Sequence, residues 1–292
     1  GATCLNDGRV RFRVWAPRRE GVAVRIVGVA GREPAPMADA GAGWFELTLD
    51  GVASGARYMY VLDGLHDRPD PASRALPVGV HGPSEIVDTT AFSWTDEGWR
   101  GRPLKDMVLY EVHVGTFTPE GTFEAVIPRL ERLQALGVTA LELMPAASFP
   151  GARNWGYDGV GLFAPQRSYG GAVGLQRLVD SCHTRGMAVM LDVVYNHLGP
   201  EGNYLADFGP YFTDRYKTPW GQAVNYDGAD SCGVREFIIA NALFWVRDYH
   251  VDGLRLDAIH GIVDRGPIHI LRELNDAVQR LARRLGRHVP VV

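Results

Sequence analysis

Gly253-Leu254-Arg255-Leu256-Asp257-Ala258 decides how this chain is read. Leucines alternate with an arginine and an aspartate two positions apart. On a β-strand, residues i and i+2 face the same side. Arg255 and Asp257 therefore point together, away from Leu254 and Leu256. Burying a charge is costly unless it is paired or put to use. A carboxylate beside a guanidinium stays ionised at neutral pH, the state a carboxylate nucleophile needs. A structural ion pair at a strand end fits the same six residues, so alone they leave both readings open.

The flanks of this stretch repeat a β/α rhythm. Val108–Val114, Val138–Met144, Met187–Tyr195 and Val251–Ile259 predict strands, and His288–Val292 predicts the start of a fifth. Residues 124–136, 172–185, 233–250 and 267–285 predict helices between them, the first two ending at Gly137 and Gly186. Met187–Tyr195 is largely apolar, as expected of a strand covered on both faces. Such alternation implies a parallel sheet with right-handed crossovers. A doubly wound sheet and a (β/α)8 TIM barrel both satisfy it. No Gly-rich phosphate loop follows the first strand, which disfavours a dinucleotide fold. His113, Asn196, His197, Asp257 and His260 gather where strands end, the end at which a barrel does chemistry. A (β/α)8 barrel is therefore expected over residues 96–292. A whole barrel takes ~250 residues, so about the first half is expected here, stopping in strand five with an unpaired apolar edge.

Residues 1–95 have a different texture. Val10–Trp15, Val22–Val27, Trp44–Leu49 and Tyr58–Asp63 are short alternating runs between Gly and Pro turns. They predict an all-β, immunoglobulin-like sandwich. Residues 67–83, rich in Pro, Gly and Asp, predict an irregular connector. Trp15 and Trp44 are expected in core packing rather than sugar stacking.

The 292 residues are 46% hydrophobic and 22% charged with net charge −4, an ordinary soluble globular composition. No basic run suggests nucleic acid. No apolar run approaches the ~20 residues of a membrane span, and no signal segment opens the chain, which starts at Gly1 rather than Met. Cys4, Cys182 and Cys232 are few, odd in number and far apart, which argues against a disulfide framework or zinc and for reduced thiols in the cytoplasm. No membrane or nucleic-acid partner is expected, and oligomeric state is not legible.

Asp192-Val193-Val194-Tyr195-Asn196-His197 and Gly253–Asp257 resemble the first and second conserved regions of the α-amylase family, glycoside hydrolase family 13. Arg13–Pro17 resembles the early-set module that precedes many glycogen-active members. Longer stretches resemble a narrower branch, the enzymes that release trehalose from malto-oligosyltrehalose. These are Asp70–Arg74, Gly79–Ser84, His113–Phe123, Glu142–Pro145, Phe149–Gly151, Trp155–Val160 and Leu198–Tyr204. The resemblance implies retaining hydrolysis of the α-1,4 bond next to the trehalose end, without metal or cofactor. It makes Asp257 the nucleophile and Arg255 the group that keeps it ionised and aligned. Asp192 and His197 would surround the reacting sugar, Tyr157 would stack on it, and His260 would line the leaving-group side. Asn196 matches a calcium-binding position of many amylases but is not expected to hold a metal here. Tyr157 and His260 also fit plain core or capping roles.

Retention needs a second carboxyl as acid and then base. In the family this is a glutamate at the end of strand five, and Glu111, Glu142 and Glu201 do not match its position. The chain is therefore expected to be inactive alone. A glycogen branching or debranching enzyme and a non-catalytic glucan-binding fragment are the competing readings.

Overall fold

A computed structural model describes residues 1–29 and 31–292. Among the described residues, the first region holds nine strands: β1 (Ala2–Cys4), β2 (Val10–Trp15), β3 (Val22–Val27), β4 (Ala35–Pro36), β5 (Ala38–Gly41), β6 (Trp44–Leu49), β7 (Arg57–Leu62), β8 (His66–Arg68) and β9 (Ser84–Glu85). They form two antiparallel sheets, β1-β2-β6-β5 and β4-β3-β7-β8, with β9 paired to β7. The alternation expected from the sequence produces this. Val10, Phe12 and Val14 are buried while Arg11 and Arg13 are exposed. Phe12 of one sheet meets Tyr58 of the other edge-on at 5.0 Å, so the two sheets share a core.

The second region contains β10 (Leu109–Val112), β11 (Ala140–Leu143), β14 (Ala188–Val193) and β17 (Gly253–Leu256). These four pair in parallel, in chain order. The strands are shorter at both ends than the apolar runs suggested. Val291 bridges Leu254 in parallel, and the Leu254 N–H donates to the Pro290 carbonyl at 3.0 Å. The expected fifth strand thus begins beside β17.

Short helices α1 (Val114–Phe117), α2 (Phe123–Val126) and α3 (Leu130–Ala135) follow β10. The single helix expected over 124–136 is broken by a 3-10 turn at Ile127–Arg129, where Pro128 removes a backbone donor. Gly137 and Gly186 do terminate their helices, with φ of 88° and 71°, a region costly for other residues. Longer helices α4 (Gly171–His183), α6 (Ser231–Asp248) and α7 (Ile270–Leu285) bury Leu178, Trp245 and Val278 among others. These join the core that covers Leu141, Leu191 and Leu254 on the outer face of the parallel sheet. α5 (Leu205–Phe208) lies in the long loop after β14. Two hairpins were not foreseen: β12 (Ala147–Ser148) with β13 (Gly161–Pro165), and β15 (Phe212–Thr218) with β16 (Gly221–Val224).

The two regions pack tightly. Trp15 lies so close to Gly233 of α6 that a Cβ there would stand 2.3 Å from its indole. Arg68 hydrogen-bonds the Asp207 carboxylate, and Arg19 reaches the Asp207 carbonyl at 2.6 Å.

At the N-terminal ends of the parallel strands sits a buried ionic network. His183 of α4 contacts Asp96 at 2.7 Å through Nδ1 and Asp252 at 2.8 Å through Nε2. Ionised carboxylates only accept hydrogen bonds, so both ring nitrogens carry protons and the imidazole is a cation. Arg287 (2.9 Å), Trp99 Nε1 (2.7 Å) and the Val189 N–H (2.9 Å) complete the shell of Asp252. Burial opposes the ionisation of Asp252, but the hydrogen bond and charge of His183, the Arg287 charge and the Trp99 hydrogen bond together outweigh it and hold the carboxyl below its usual range. No helix among the described residues is long and apolar enough to cross a membrane.

Candidate active site

The inner face of the parallel sheet carries the polar residues. Asp192 of β14 and Arg255 of β17 are register partners on adjacent strands. Arg255 Nη1 donates to Asp192 Oδ2 at 2.9 Å and to Asp257 Oδ1 at 2.7 Å. One nitrogen therefore ties together the two carboxylates that the sequence singled out. Burial works against the Arg255 charge, and the hydrogen bond to Asp257 followed by the Asp192 charge outweighs it, so the guanidinium is held firmly protonated.

Asp257 lies just past the end of β17. Its N–H donates to the Val193 carbonyl at 3.0 Å, which fixes its backbone to β14. Ala258 follows with φ 41°, an uncommon conformation for a residue with a Cβ. That turn ends the strand where the carboxylate is presented. The second carboxylate oxygen of Asp257 accepts from Asn196 Nδ2 at 3.2 Å, and its carbonyl accepts from the same amide at 2.9 Å. Both acceptors require an NH2 group, which fixes the Asn196 amide and turns its Oδ1 toward His197 Nδ1 at 2.5 Å. His197 must then carry its proton on Nδ1. Burial lowers the pKa of its imidazole. Asp257 thus sets Asn196, and Asn196 sets the tautomer of His197.

Tyr157 donates its hydroxyl to Asp192 Oδ2 at 3.0 Å. Burial is the first reason its own pKa rises. Asp192 is only 1% exposed at its side chain. Burial pushes its pKa up to about 6, against the pull of Arg255 and Tyr157. Its Oδ1 is buried without a hydrogen-bond partner among the described residues. A buried acceptor left unpaired is costly and suits a donor arriving with a ligand.

The Asp192 shift has a testable sign. A carboxyl raised from 3.8 to about 6 stabilises the fold fully below pH ~4 and loses that contribution as pH rises through 6. Asp192→Asn removes the titration. Relative to the parent, this variant should gain ~2–3 kcal/mol between pH 4 and 7.5, from about 1.4 kcal/mol per pKa unit. Urea unfolding at the two pH values measures it, and parallel pH profiles for both proteins would refute the assignment.

Of the residues named from sequence, Asp257, Arg255, Asp192, Asn196, His197 and Tyr157 form one continuous hydrogen-bonded cluster. His260 stands apart on the short turn Ile259–Gly261, exposed, with its ring 6.1 Å from that of Trp220. His113 is engaged elsewhere, with Nε2 on the Asn154 carbonyl at 2.7 Å and Nδ1 on Thr116 Oγ1 at 2.9 Å. Sequence reasoning missed Trp220, at the turn of the β15–β16 hairpin. It stacks on His197 with ring centroids 4.8 Å apart and planes 6° from parallel. The alternating Phe212–Thr218 run, followed by Pro219-Trp220-Gly221, carried a hairpin signal.

Among the described residues, Asp192 is the one other carboxylate hydrogen-bonded to Arg255, and it is committed to Arg255 and Tyr157. Glu111 and Glu142 are register partners on β10 and β11. Burial first, and then Glu111, raises the pKa of Glu142. Glu201 lies in the exposed loop near His81, at 3.4 Å.

Residues 83–219 match the family described as "Alpha amylase, catalytic domain". A malto-oligosyltrehalose trehalohydrolase of Saccharolobus solfataricus is 51% identical over 94% of this chain and 48% of its own length. One from Arthrobacter ramosus is 48% identical over 97% of this chain and 49% of its own length. The crystal structure of a Salmonella typhimurium protein described as a "Putative alpha Amylase" superposes on all of this chain and 48% of its own. Its TM-score is 0.92 and its identity 43%. The chain thus spans about half the length of the relatives it matches.

Proposed function

We propose that this chain of the α-amylase family supplies the nucleophile side of a retaining glycoside hydrolase. It would act on the α-1,4 bond next to the trehalose end of malto-oligosyltrehalose. The observation that carries the chemistry is the shared Arg255 Nη1, which donates to Asp257 and aligns it beside the buried Asp192. The identity of 51% to a trehalohydrolase supports the substrate.

The chain order of the four parallel strands supports reading them as the first half of a (β/α)8 barrel, since a doubly wound sheet reverses its order at a switch point. Residues 1–95 form the early-set sandwich and 96–292 the barrel portion. Asp257 attacks the anomeric carbon while the glucosidic oxygen leaves with a proton from an acid on the opposite side. Water then attacks the same carbon, giving its proton to that group and releasing Asp257. Asp192 Oδ1 takes a hydroxyl of the reacting sugar, Tyr157 stacks on it and His197 borders it. His260 lines the leaving-group side, and no metal takes part. The place of action is the cytoplasm, in keeping with three unpaired cysteines.

Product analysis tests this reading on a protein carrying these residues at the length of the relatives. Free trehalose from malto-oligosyltrehalose is expected, and new α-1,6 branches or maltodextrin freed from a branch point would overturn it. No described carboxylate stands free across from Asp257, and general acid catalysis contributes ~10²–10⁴-fold. Residues 1–292 assayed alone should therefore run at least that much slower. Comparable turnover would show that a described residue donates the proton.

A further inference from the structure

Of the seven tryptophans, all but one are tied into the molecule. Trp15, Trp99 and Trp245 donate their N–H groups to Ala42, Asp252 and Asn241. Trp44 lies under Arg13, Trp94 on His250 and Trp220 on His197. Trp155 is 74% exposed. Among the described residues its ring stacks on nothing and its N–H has no acceptor.

The backbone beneath it is braced. The Asn154 carbonyl accepts from His113 Nε2 at 2.7 Å, Asn154 Oδ1 accepts from the Gly156 N–H at 2.7 Å, and Asn154 Nδ2 donates to Asp158 Oδ2 at 2.8 Å. Gly156, with φ 101°, is pressed so close to Pro145 that a Cβ would stand 2.3 Å from its carbonyl oxygen. One residue further, Tyr157 is fastened to Asp192. A large apolar ring is therefore presented to solvent on a braced loop, two residues before the Tyr157 that bonds Asp192.

We propose that Trp155 is a specificity-determining residue, a platform for the glucose unit next to the one held by Tyr157 and Asp192. A pyranose offers an apolar face of C–H groups and a polar edge of hydroxyls. A fixed indole covers that face at small entropic cost. The inference rests on the α-glucan reading of the site. Its chemistry selects chains of at least two units over single sugars. The bracing of the Asn154–Asp158 loop means that little side-chain or backbone freedom is lost when a sugar ring covers the indole.

The test is saturation-transfer NMR titration of the 292-residue chain with maltoheptaose and with glucose. Trp155→Ala should weaken maltoheptaose about tenfold, the effect of losing one well-placed aromatic contact. Trp155→Phe should restore most of that loss, and glucose should bind all three proteins alike. Equal maltoheptaose affinity for Trp155→Ala and the parent would remove the platform and leave the glucan reading standing. Parallel weakening of both sugars would mark a structural role and overturn it too. A parent that binds neither sugar would sink the glucan reading together with the inference.

Discussion

Asp257→Asn is expected to lower trehalose release by on the order of 10⁴–10⁶-fold, with KM nearly unchanged. Asparagine keeps the size and still accepts from Arg255, so the ground-state complex survives. It cannot form the covalent ester, and loss of a nucleophile costs factors of this size. The measurement is kcat at saturating malto-oligosyltrehalose, on the protein at the length of the relatives. A second readout is mass spectrometry after a fluorinated glycosyl fluoride, which should leave one sugar on the peptide containing Asp257. A variant retaining a hundredth of parental kcat, or a label found on another residue, would end the assignment.

His183→Ala should destabilise the fold by ~3–5 kcal/mol, the cost of breaking a buried ion pair from one side. It leaves Asp252, with no side-chain exposure, and Asp96, at 6%, without the cation between them. At about 2–4 °C per kcal/mol for large domains, calorimetry should show a drop on the order of 10 °C. Burial opposes the charged imidazole, but the hydrogen bonds to Asp252 and Asp96 prevail and raise its pKa above 6.5. The stabilisation is therefore complete below the unfolded value near 6.5 and is lost as pH climbs through the raised one. His183→Gln retains a donor, so its deficit should be smaller and free of that alkaline slope. A flat parental profile from pH 6 to 9, with an unaltered melting point for His183→Ala, would show that the ring is neutral and dispensable.

The site was legible where chemistry and strand alternation agreed. Arg255 and Asp257 share a face because they sit two apart, and Asp192 joins them because its strand pairs in register with theirs. Neither fact needs tertiary detail beyond the order of the strands. His260 was placed from motif position alone, and the geometry keeps it outside the hydrogen-bonded cluster. His113 looked equivalent to the other histidines at strand ends, yet it braces the Asn154 carbonyl. Its role depends on a loop 41 residues away, which periodicity cannot reveal. Trp220 was missed because its hairpin lies between the predicted strands and helices, and its meaning comes from the ring it covers. The His183 network was invisible for a similar reason. Its members come from the segment before β10, a helix, a strand start and the segment after α7. In the sandwich, by contrast, alternation follows the burial of β3 throughout and of most of β2 and β7, while Trp15 and Val61 are buried out of step with it.

The pairing of Asp192 with Arg255 across β14 and β17 also makes the chemistry depend on the parity of a count. Deleting one residue between the Val193 anchor and Gly253 could be absorbed by a loop. The same deletion inside either strand would turn every later side chain of that strand through half a revolution. For a deletion at Gly253 of β17, Arg255 and Asp257 would then face the outer core, and Leu254 and Leu256 would face the side chains of Asp192 and Asn196. Such a protein would fail at folding and at catalysis together, although no charged residue had been changed.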